Sequence, residues 1–165
     1  GTGGAKTGGN YAASLLPQSE AYERGCQQVL FLDASGNLEE LGGMNVVLVR
    51  KDGTLITPES ESILEGITRE SVLRLATDRG LRVERRGIPV AEWRDGAASG
   101  DIVGAFACGT AAVIVPIGRL LGEDIEIVHS GPDSETLARS LREELTGIQY
   151  GRLGDRYGWM TRLDG

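Results

Sequence analysis

The sequence predicts an α+β domain in which helices pack against a mixed or antiparallel sheet. Apolar segments typical of strands outnumber the helical ones, and turn sequences such as Asp52-Gly53 join several of them directly. A doubly wound parallel sheet would instead need a helical crossover after each strand. The chain has 165 residues, so we expect a single domain over residues 1–165.

The first third of the chain predicts one helix followed by strands. Residues 10–24 carry a helical pattern, and Pro17 should kink or restart this helix because proline has no backbone N–H group. Short apolar runs bounded by turn residues come next. They predict strands at residues 28–33, 45–50 and 54–57.

A clear helix is expected after Gly66, and another near the end of the chain. Thr68 can cap the first of them, Glu70 favours the positive end of its dipole, and Gly80 ends it. Ser134 is expected to cap the second. The remaining elements are a strand at residues 82–86, a short helix at 90–98, strands at 101–107, 111–116 and 125–128, and the last helix at 134–145.

Composition and charge argue against several classes of protein. The net charge is −7 and no basic run is present to neutralise phosphates, so nucleic acid is not an expected partner. No apolar stretch approaches about 20 residues and no secretion signal is visible, so we expect no membrane association and a cytoplasmic location. The sequence begins at Gly1 and not at methionine, which leads us to expect a piece of a longer polypeptide.

A metal site is not expected, and nothing in the sequence supports a disulfide. Cys26 and Cys108 lie far apart, neither belongs to a Cys-x-x-Cys pair, and His129 is the only histidine. We expect two buried thiols in a reducing compartment.

Lys6 is the most informative residue, because it is one of only two lysines among 17 basic residues and lies in the glycine-rich segment GTGGAKTGGNY. Glycine lets the backbone approach a ligand closely. A lysine amine, unlike arginine, can form an imine or carry a proton once it is desolvated. Tyr11, five residues later, can offer a phenol to the same cavity. The alternatives are an exposed lysine in a mobile terminus and a half-buried aromatic residue.

Acidic and anion-binding candidates occur at three further boundaries between elements. Glu39 and Glu40 precede a Gly42-Gly43 corner, where a carboxylate can hold a positive charge; a solvated acidic loop is the alternative. Gly66-Ile67-Thr68 opens a helix, whose free N–H groups favour phosphate. Gly109-Thr110-Ala111-Ala112 adds a hydroxyl and N–H groups at a strand break. Together these are the groups that pyridoxal phosphate requires: an amine, a phenol, a carboxylate and anion sites.

Five segments, in order and at suitable spacing, resemble the branched-chain amino acid aminotransferases, which are fold-type IV pyridoxal phosphate enzymes. The segments are GTGGAKTGGNYAASLL, EELGGMN, EGITRES, FACGTAAVIVP and LTGIQYG. The resemblance covers nearly all 165 residues and corresponds to the C-terminal, larger domain of that family. It implies a homodimeric enzyme that transfers the amino group of L-leucine, L-isoleucine or L-valine to 2-oxoglutarate, giving a branched-chain 2-oxo acid and L-glutamate.

The resemblance assigns roles around the cofactor ring. It implies that Lys6 binds the cofactor aldehyde covalently and later carries the proton between the substrate α-carbon and C4′ of the cofactor. Tyr11 would hydrogen-bond the phenolic oxygen. Glu40 would pair with the ring nitrogen and keep it protonated.

The resemblance also assigns the phosphate and substrate contacts. Ile67 and Thr68 would bind the phosphate at the helix N-terminus, and the Thr110 hydroxyl would add a contact. The backbone of Thr110 and Ala111 would bind the substrate carboxylate. The pocket for the substrate side chain would be lined by Gly43 and Met44.

The chain departs from the family at two positions and lacks one domain. Proline is common where this chain has Glu65, and Pro17 lies in a helix that usually has no proline. The family's N-terminal domain supplies a phosphate-binding arginine and part of the substrate pocket, so the chain alone is expected to hold cofactor weakly and to turn over little. The alternatives are a D-amino acid aminotransferase or an aminodeoxychorismate lyase of the same fold, and a non-catalytic truncated module.

Overall fold

The computed structural model describes residues 4–129 and 131–163. The helices in these ranges are α1 (Gly8–Ala12), α2 (Leu15–Glu23), α3 (Ile67–Asp78), α4 (Val90–Ser99) and α5 (Pro132–Gln149). The strands are β1 (Leu30–Leu32), β2 (Leu38–Leu41), β3 (Asn45–Arg50), β4 (Leu55–Pro58), β5 (Val83–Arg86), β6 (Ile102–Gly109), β7 (Val113–Pro116), β8 (Arg119–Leu121) and β9 (Glu126–Val128). None of the helices within the described ranges is both long and apolar enough to cross a membrane.

A five-stranded sheet in the order β5–β4–β3–β6–β7 forms the centre of the structure. Its neighbouring strands run antiparallel except β4 and β5, which are parallel because α3 connects them as a crossover. Two separate two-stranded antiparallel sheets are formed by β1–β2 and by β8–β9. The predicted α+β class with a mixed sheet is therefore confirmed.

Both faces of the central sheet are covered, which explains why β3 is a continuous apolar run and not an alternating one. On one face Val47 belongs to the cluster that contains Leu141 of α5. On the other face Val46 belongs to the cluster that contains Trp93 of α4 and Ile127 of β9. Each fully buried aliphatic side chain contributes about 1.5–3 kcal/mol of hydrophobic stabilisation, so β3 is firmly anchored next to the site described below.

The helix predicted at residues 10–24 is divided in two. α1 ends at Ala12 and α2 begins at Leu15, so the break lies at Ala13 and Ser14 and not at Pro17. Pro17 occupies the first turn of α2, where backbone N–H groups have no intrahelical partner and a missing one costs little.

The predicted threonine cap of α3 is wrong by two residues. α3 begins at Ile67 with Gly66 at the N-cap, which places Thr68 inside the helix. A side chain at the N-cap would be excluded sterically, since a Cβ on Gly66 would collide with Oδ1 of Asn45. Gly80 does end this helix region, with a φ of 80° that glycine adopts without strain.

Other elements also differ from the prediction, α5, β2 and β8 among them. α5 begins at Pro132, two residues before Ser134, so the N-cap is Gly131; the side chain of Ser134 lies outside the described residues. Proline is well suited to this first helical position because its missing N–H would be unpaired there. The short strands β2 and β8 were not predicted, and β2 was obscured by the two acids at its centre, Glu39 and Glu40.

His129 connects the β8–β9 sheet to α4. The Nε1 group of Trp93 donates to Nε2 of His129 at 2.8 Å, and the two rings stack at 11° with their centroids 6.0 Å apart. Burial lowers the pKa of His129 below its ordinary 6.5. The His129 imidazole therefore binds a proton more readily in the unfolded chain than in the folded one. The stability that His129 contributes above about pH 6.5 is lost as the pH falls below that value.

We expect the free energy of unfolding of the full-length protein to fall more between about pH 7.5 and pH 5.5 than that of His129→Gln. Glutamine can accept the Trp93 hydrogen bond through its amide oxygen but does not titrate. Urea unfolding of both proteins at the two pH values measures the difference. Parallel losses of stability in the two proteins would contradict the prediction.

Candidate active site

A cleft of about 560 Å³ opens beside the β2–β3 turn, the start of α3 and the end of β6. All nine residues for which the sequence predicts a role contribute to its lining. They are Lys6, Tyr11, Glu40, Gly43, Met44, Ile67, Thr68, Thr110 and Ala111. The fold thus brings an amine, a phenol, a carboxylate, a helix N-terminus and a strand end to one space.

The segment that carries Lys6 enters the cleft immediately before α1. The Asn10 side chain donates to the Ala5 carbonyl at 2.8 Å, and the Thr7 N–H donates to the same oxygen at 2.9 Å. These two bonds hold the backbone on both sides of Lys6. The Lys6 side chain is exposed and that of Tyr11 is 37% exposed, so both groups are accessible to a ligand.

The turn between β2 and β3 is very tight. The Leu41 N–H donates to the Met44 carbonyl at 2.8 Å, which leaves only Gly42 and Gly43 between the paired residues. On the adjacent strand β6, a Cβ on Gly109 would lie 3.0 Å from Cγ of Met44. The Met44 side chain therefore packs directly against the glycine backbone at the wall of the cleft.

Glu40 is the half-buried carboxylate of the cleft. Its Oε1 accepts from the Leu64 N–H at 3.4 Å, and its Oε2 accepts from Nδ2 of Asn45 at 3.5 Å. Burial raises the pKa of Glu40 above its ordinary value, while the Leu64 hydrogen bond and the positive charge of Arg69 oppose that effect. A carboxyl group with a raised pKa is suited to share a proton with a weakly basic ring nitrogen.

The first turn of α3 is held in place by charged neighbours. Arg85 of β5 donates to both carboxylate oxygens of Glu70, each at 2.7 Å, and the nearly buried Arg69 donates to Glu70 at 3.2 Å. These contacts lower the pKa of Glu70, the Arg85 hydrogen bonds most strongly. The Ile67 side chain is 85% exposed, which fits a contribution from its backbone N–H group to the cleft.

The segment after β6 supplies the opposite side of the cleft. Thr110 and Ala111 lie in the turn between β6 and β7, and both are exposed. Val113, two residues later, has a φ of 62° and is the single non-glycine residue with a positive φ in the described part of the chain. β-Branched residues rarely adopt this conformation, so the turn is bent by surrounding structure and not by local preference.

The two cysteines differ in their surroundings. Both are free thiols, but Cys26 is only half-buried, so the expectation of two buried thiols is wrong for Cys26. Cys108 lines the cleft, and burial raises the pKa of its thiol to about 12. It therefore stays protonated at neutral pH and contributes packing, not a nucleophile.

A second cleft is larger, at about 1060 Å³, but it does not gather the residues with predicted roles. It lies between α2 and the β7–β9 region, and its described lining contains no lysine. Of the nine residues with predicted roles, only Met44 reaches it. The smaller cleft is therefore the candidate active site.

Asn45 belongs to the cleft although the sequence predicted no role for it. It is 5% exposed and contacts Glu40 and the segment before α3. A usable signal was present in the sequence, because Asn45 is a polar residue that opens the otherwise apolar run NVVLV. Buried polar side chains are hydrogen-bonded almost without exception, so such a residue points to a specific partner.

Comparison with known proteins identifies the family of this fold and cleft. Residues 2–120 match the family described as amino-transferase class IV. The chain belongs to the class IV aminotransferases. This aminotransferase chain is 52% identical, over 99% of its length, to the branched-chain-amino-acid aminotransferase of Mycobacterium tuberculosis (strain ATCC 25618 / H37Rv). It covers 46% of that relative and thus spans about half the length of the curated relatives it matches.

Solved aminotransferase structures share the fold. The branched-chain amino acid aminotransferase of Thermobaculum terrenum (M4 mutant) superposes with a TM-score of 0.81 at 37% identity, covering 96% of this chain and 49% of that one. A T.th. branched-chain amino acid aminotransferase complexed with N-(5'-phosphopyridoxyl)-L-glutamate superposes with a TM-score of 0.77 at 33% identity, covering 96% of this chain and 50% of that one. The resemblance to branched-chain aminotransferases, and the fold-type IV architecture, are therefore confirmed.

Proposed function

We propose that the cleft binds pyridoxal phosphate and that the protein transfers the amino group of L-leucine, L-isoleucine or L-valine to 2-oxoglutarate. The observation that carries this proposal is the convergence of Lys6, Tyr11, Glu40 and the α3 N-terminus on one cleft. The branched-chain names of the relatives support the substrate class, and the phosphopyridoxyl-glutamate complex of a similar structure supports the cofactor. These names favour a branched-chain enzyme over the D-amino acid aminotransferase and lyase alternatives.

The residues present fit this cofactor. A lysine amine suits the aldehyde, and a half-buried carboxylate with a raised pKa suits the ring nitrogen. The helix entry has glycine at its N-cap, packed against the Asn45 amide, and Gly66, Ile67 and Thr68 all line the cleft. Free N–H groups at the start of the 12-residue helix α3 suit a phosphate.

The residues around the cofactor ring would have distinct tasks in the proposed reaction. When bound, pyridoxal phosphate supplies an aldehyde that takes up the amino group and a ring that accepts the electron pair of the substrate α-carbon. The Lys6 amine would hold the cofactor through its aldehyde and, once displaced by the substrate amino group, would carry the proton from the substrate α-carbon to the cofactor. Glu40 would hold a proton on the ring nitrogen. Tyr11 would orient the ring by donating a hydrogen bond to its phenolic oxygen.

Recognition of the substrate is assigned to the other two sides of the cleft. The Thr110 and Ala111 backbone would bind the substrate carboxylate, and the Thr110 hydroxyl would add a contact to the cofactor phosphate beside Thr68. Gly43 and Met44 would line the pocket for the aliphatic side chain. Such a pocket discriminates by only about 1–3 kcal/mol per methylene, so leucine, isoleucine and valine should all react. We infer that the full-length protein has a second domain that completes this pocket and that it works as a homodimer.

The test is turnover by the full-length protein after incubation with pyridoxal phosphate. We expect glutamate to form from 2-oxoglutarate with L-leucine, L-isoleucine or L-valine as donor, and at least about 100-fold more slowly with D-alanine. Glutamate is measured by chromatography, so no coupling enzyme is needed. A preference for D-alanine, or pyruvate release from aminodeoxychorismate, would replace the branched-chain assignment by one of the two alternatives.

A further inference from the structure

Asn45 joins two parts of the cleft through one buried amide. Its Nδ2 group donates to the Leu64 carbonyl at 3.0 Å and to Oε2 of Glu40 at 3.5 Å. The Leu64 N–H donates back to Oε1 of Glu40 at 3.4 Å. These three contacts form a closed ring that connects β2, β3 and the segment leading into α3.

The same amide also faces the entry of α3. A Cβ on Gly66 would collide with Oδ1 of Asn45 and would lie 3.3 Å from its Cγ. Gly66 is the N-cap of α3, and Ile67 and Thr68 follow it directly. Asn45 therefore contacts the carboxylate on one side and the start of the phosphate-binding helix on the other.

A carboxamide is well matched to this position. It supplies two N–H donors without a charge, and its two acceptors are the Glu40 carboxylate and the Leu64 carbonyl. An aspartate here would place a second carboxylate against Glu40 and would have no donor when ionised. An alanine would remove the Leu64 hydrogen bond and leave space beside Gly66.

The charge balance of Glu40 also depends on where α3 lies. Arg69, on the first turn of α3, is 3% exposed, and its positive charge opposes the rise that burial causes in the pKa of Glu40. A shift of the α3 entry would therefore change both the phosphate site and the proton affinity of Glu40.

We propose that Asn45 is a positioning residue that holds Glu40 and the entry of α3 at the separation pyridoxal phosphate requires between its ring nitrogen and its phosphate. The proposal rests on the proposed function, since it takes Glu40 and α3 as the two ends of the cofactor site. Asn45 acts through Glu40 and Gly66.

The experiment compares the full-length protein with Asn45→Ala and Asn45→Asp, using pyridoxal phosphate and pyridoxal, which has no phosphate. We expect Asn45→Ala to weaken binding of pyridoxal phosphate about tenfold and binding of pyridoxal less. Pyridoxal phosphate must fit Glu40 and the α3 N-terminus at the same time, whereas pyridoxal has no phosphate to place at α3. In Asn45→Asp the added carboxylate favours the protonated cofactor, so the pH midpoint of the bound cofactor's absorption should rise. Neither readout depends on turnover.

Two further variants control for general destabilisation. Thr57 is buried and donates to the Val46 carbonyl at 2.9 Å, yet it is not among the residues that line the cleft. Thr57→Val removes a buried hydrogen bond between β4 and β3, and it should leave cofactor affinity unchanged. Gly66→Ala keeps Asn45 in the chain but displaces its amide, so it should reproduce the affinity loss of Asn45→Ala.

The possible failures are distinguishable. Circular dichroism first verifies that each variant is folded. If Asn45→Ala and Gly66→Ala then bind pyridoxal phosphate as tightly as the control Thr57→Val, the positioning role is overturned and the proposed function stays intact. An unchanged absorption midpoint in Asn45→Asp would do the same. A full-length protein without substitutions that binds no pyridoxal phosphate would reject the proposed function, and this role with it.

Discussion

Replacing Lys6 with alanine in the full-length protein is expected to lower kcat for L-leucine by roughly four orders of magnitude. Alanine would remove both the amine proposed to bind the cofactor aldehyde and the group proposed to carry the proton at the substrate α-carbon. Lys6→Arg should be nearly as inactive, because a guanidinium stays protonated and forms no imine. Stopped assays of glutamate formation measure kcat. Borohydride reduction followed by peptide mass spectrometry should show a phosphopyridoxyl adduct on the Lys6 peptide of the unchanged protein.

The chain offers a matched control for this prediction, because Lys51 is the other lysine among these 165 residues. Lys51 is exposed in the turn between β3 and β4, away from the cleft lining. Lys51→Ala should therefore retain both turnover and the adduct. An adduct that persists in Lys6→Ala, or that maps to Lys51, would remove Lys6 from the mechanism.

Replacing Glu40 with glutamine is expected to lower kcat by roughly 100- to 1000-fold while leaving the fold intact. The amide oxygen of glutamine can still accept from the Leu64 N–H, so the local backbone keeps this contact. The neutral side chain cannot balance a protonated ring nitrogen, which removes charge stabilisation when the substrate α-carbon loses its proton. Cofactor binding should weaken much less than kcat, since Lys6 and the α3 N-terminus are unchanged. Separate measurements of kcat and cofactor affinity test whether the loss of kcat is much larger than the loss of affinity.

Glu39 provides the control for Glu40. It is the preceding residue of β2, and successive side chains of a strand point to opposite faces, so Glu39 does not line the cleft. Glu39→Gln should change kcat less than about twofold. Similar losses in the two variants would indicate that the negative charge of the whole strand matters, and not a specific contact of Glu40.

Several features could be predicted from local sequence because their causes are local. The run NVVLVR was predicted as a strand with the bounds that the structure has, and Asp52-Gly53 forms the turn into β4, where Gly53 has a φ of 85°. The nine residues proposed for the site were also selected from sequence, through their glycine-rich contexts and the family resemblance. Their clustering around one cleft supports that selection, and the roles remain proposals.

Other features depended on neighbours distant in the chain. The parallel pairing of β4 with β5 follows from the packing of α3 as a crossover, and β2 pairs with β1 although acids occupy its centre. The helix start after Gly66 was predicted and is confirmed, but the cap was assigned to Thr68 from that residue's own side chain. Asn45, 21 positions before Gly66, determines which residue fits the N-cap. Local capping preference is worth about 1 kcal/mol, which a steric collision with a buried side chain easily exceeds.

By itself the sequence determined which chemical groups this protein has for the proposed reaction: an amine at Lys6, a carboxylate at Glu40, and glycine-flanked turns that can leave backbone N–H groups exposed. Only the tertiary structure decided how these groups meet and how their protons are held. The burial that raises the pKa of Glu40, and the amide of Asn45 that links it to α3, arise from strands and helices far apart in the chain. Desolvation and hydrogen bonding act through space, so a local pattern can indicate that Asn45 has a partner but cannot identify that partner or the burial of Glu40.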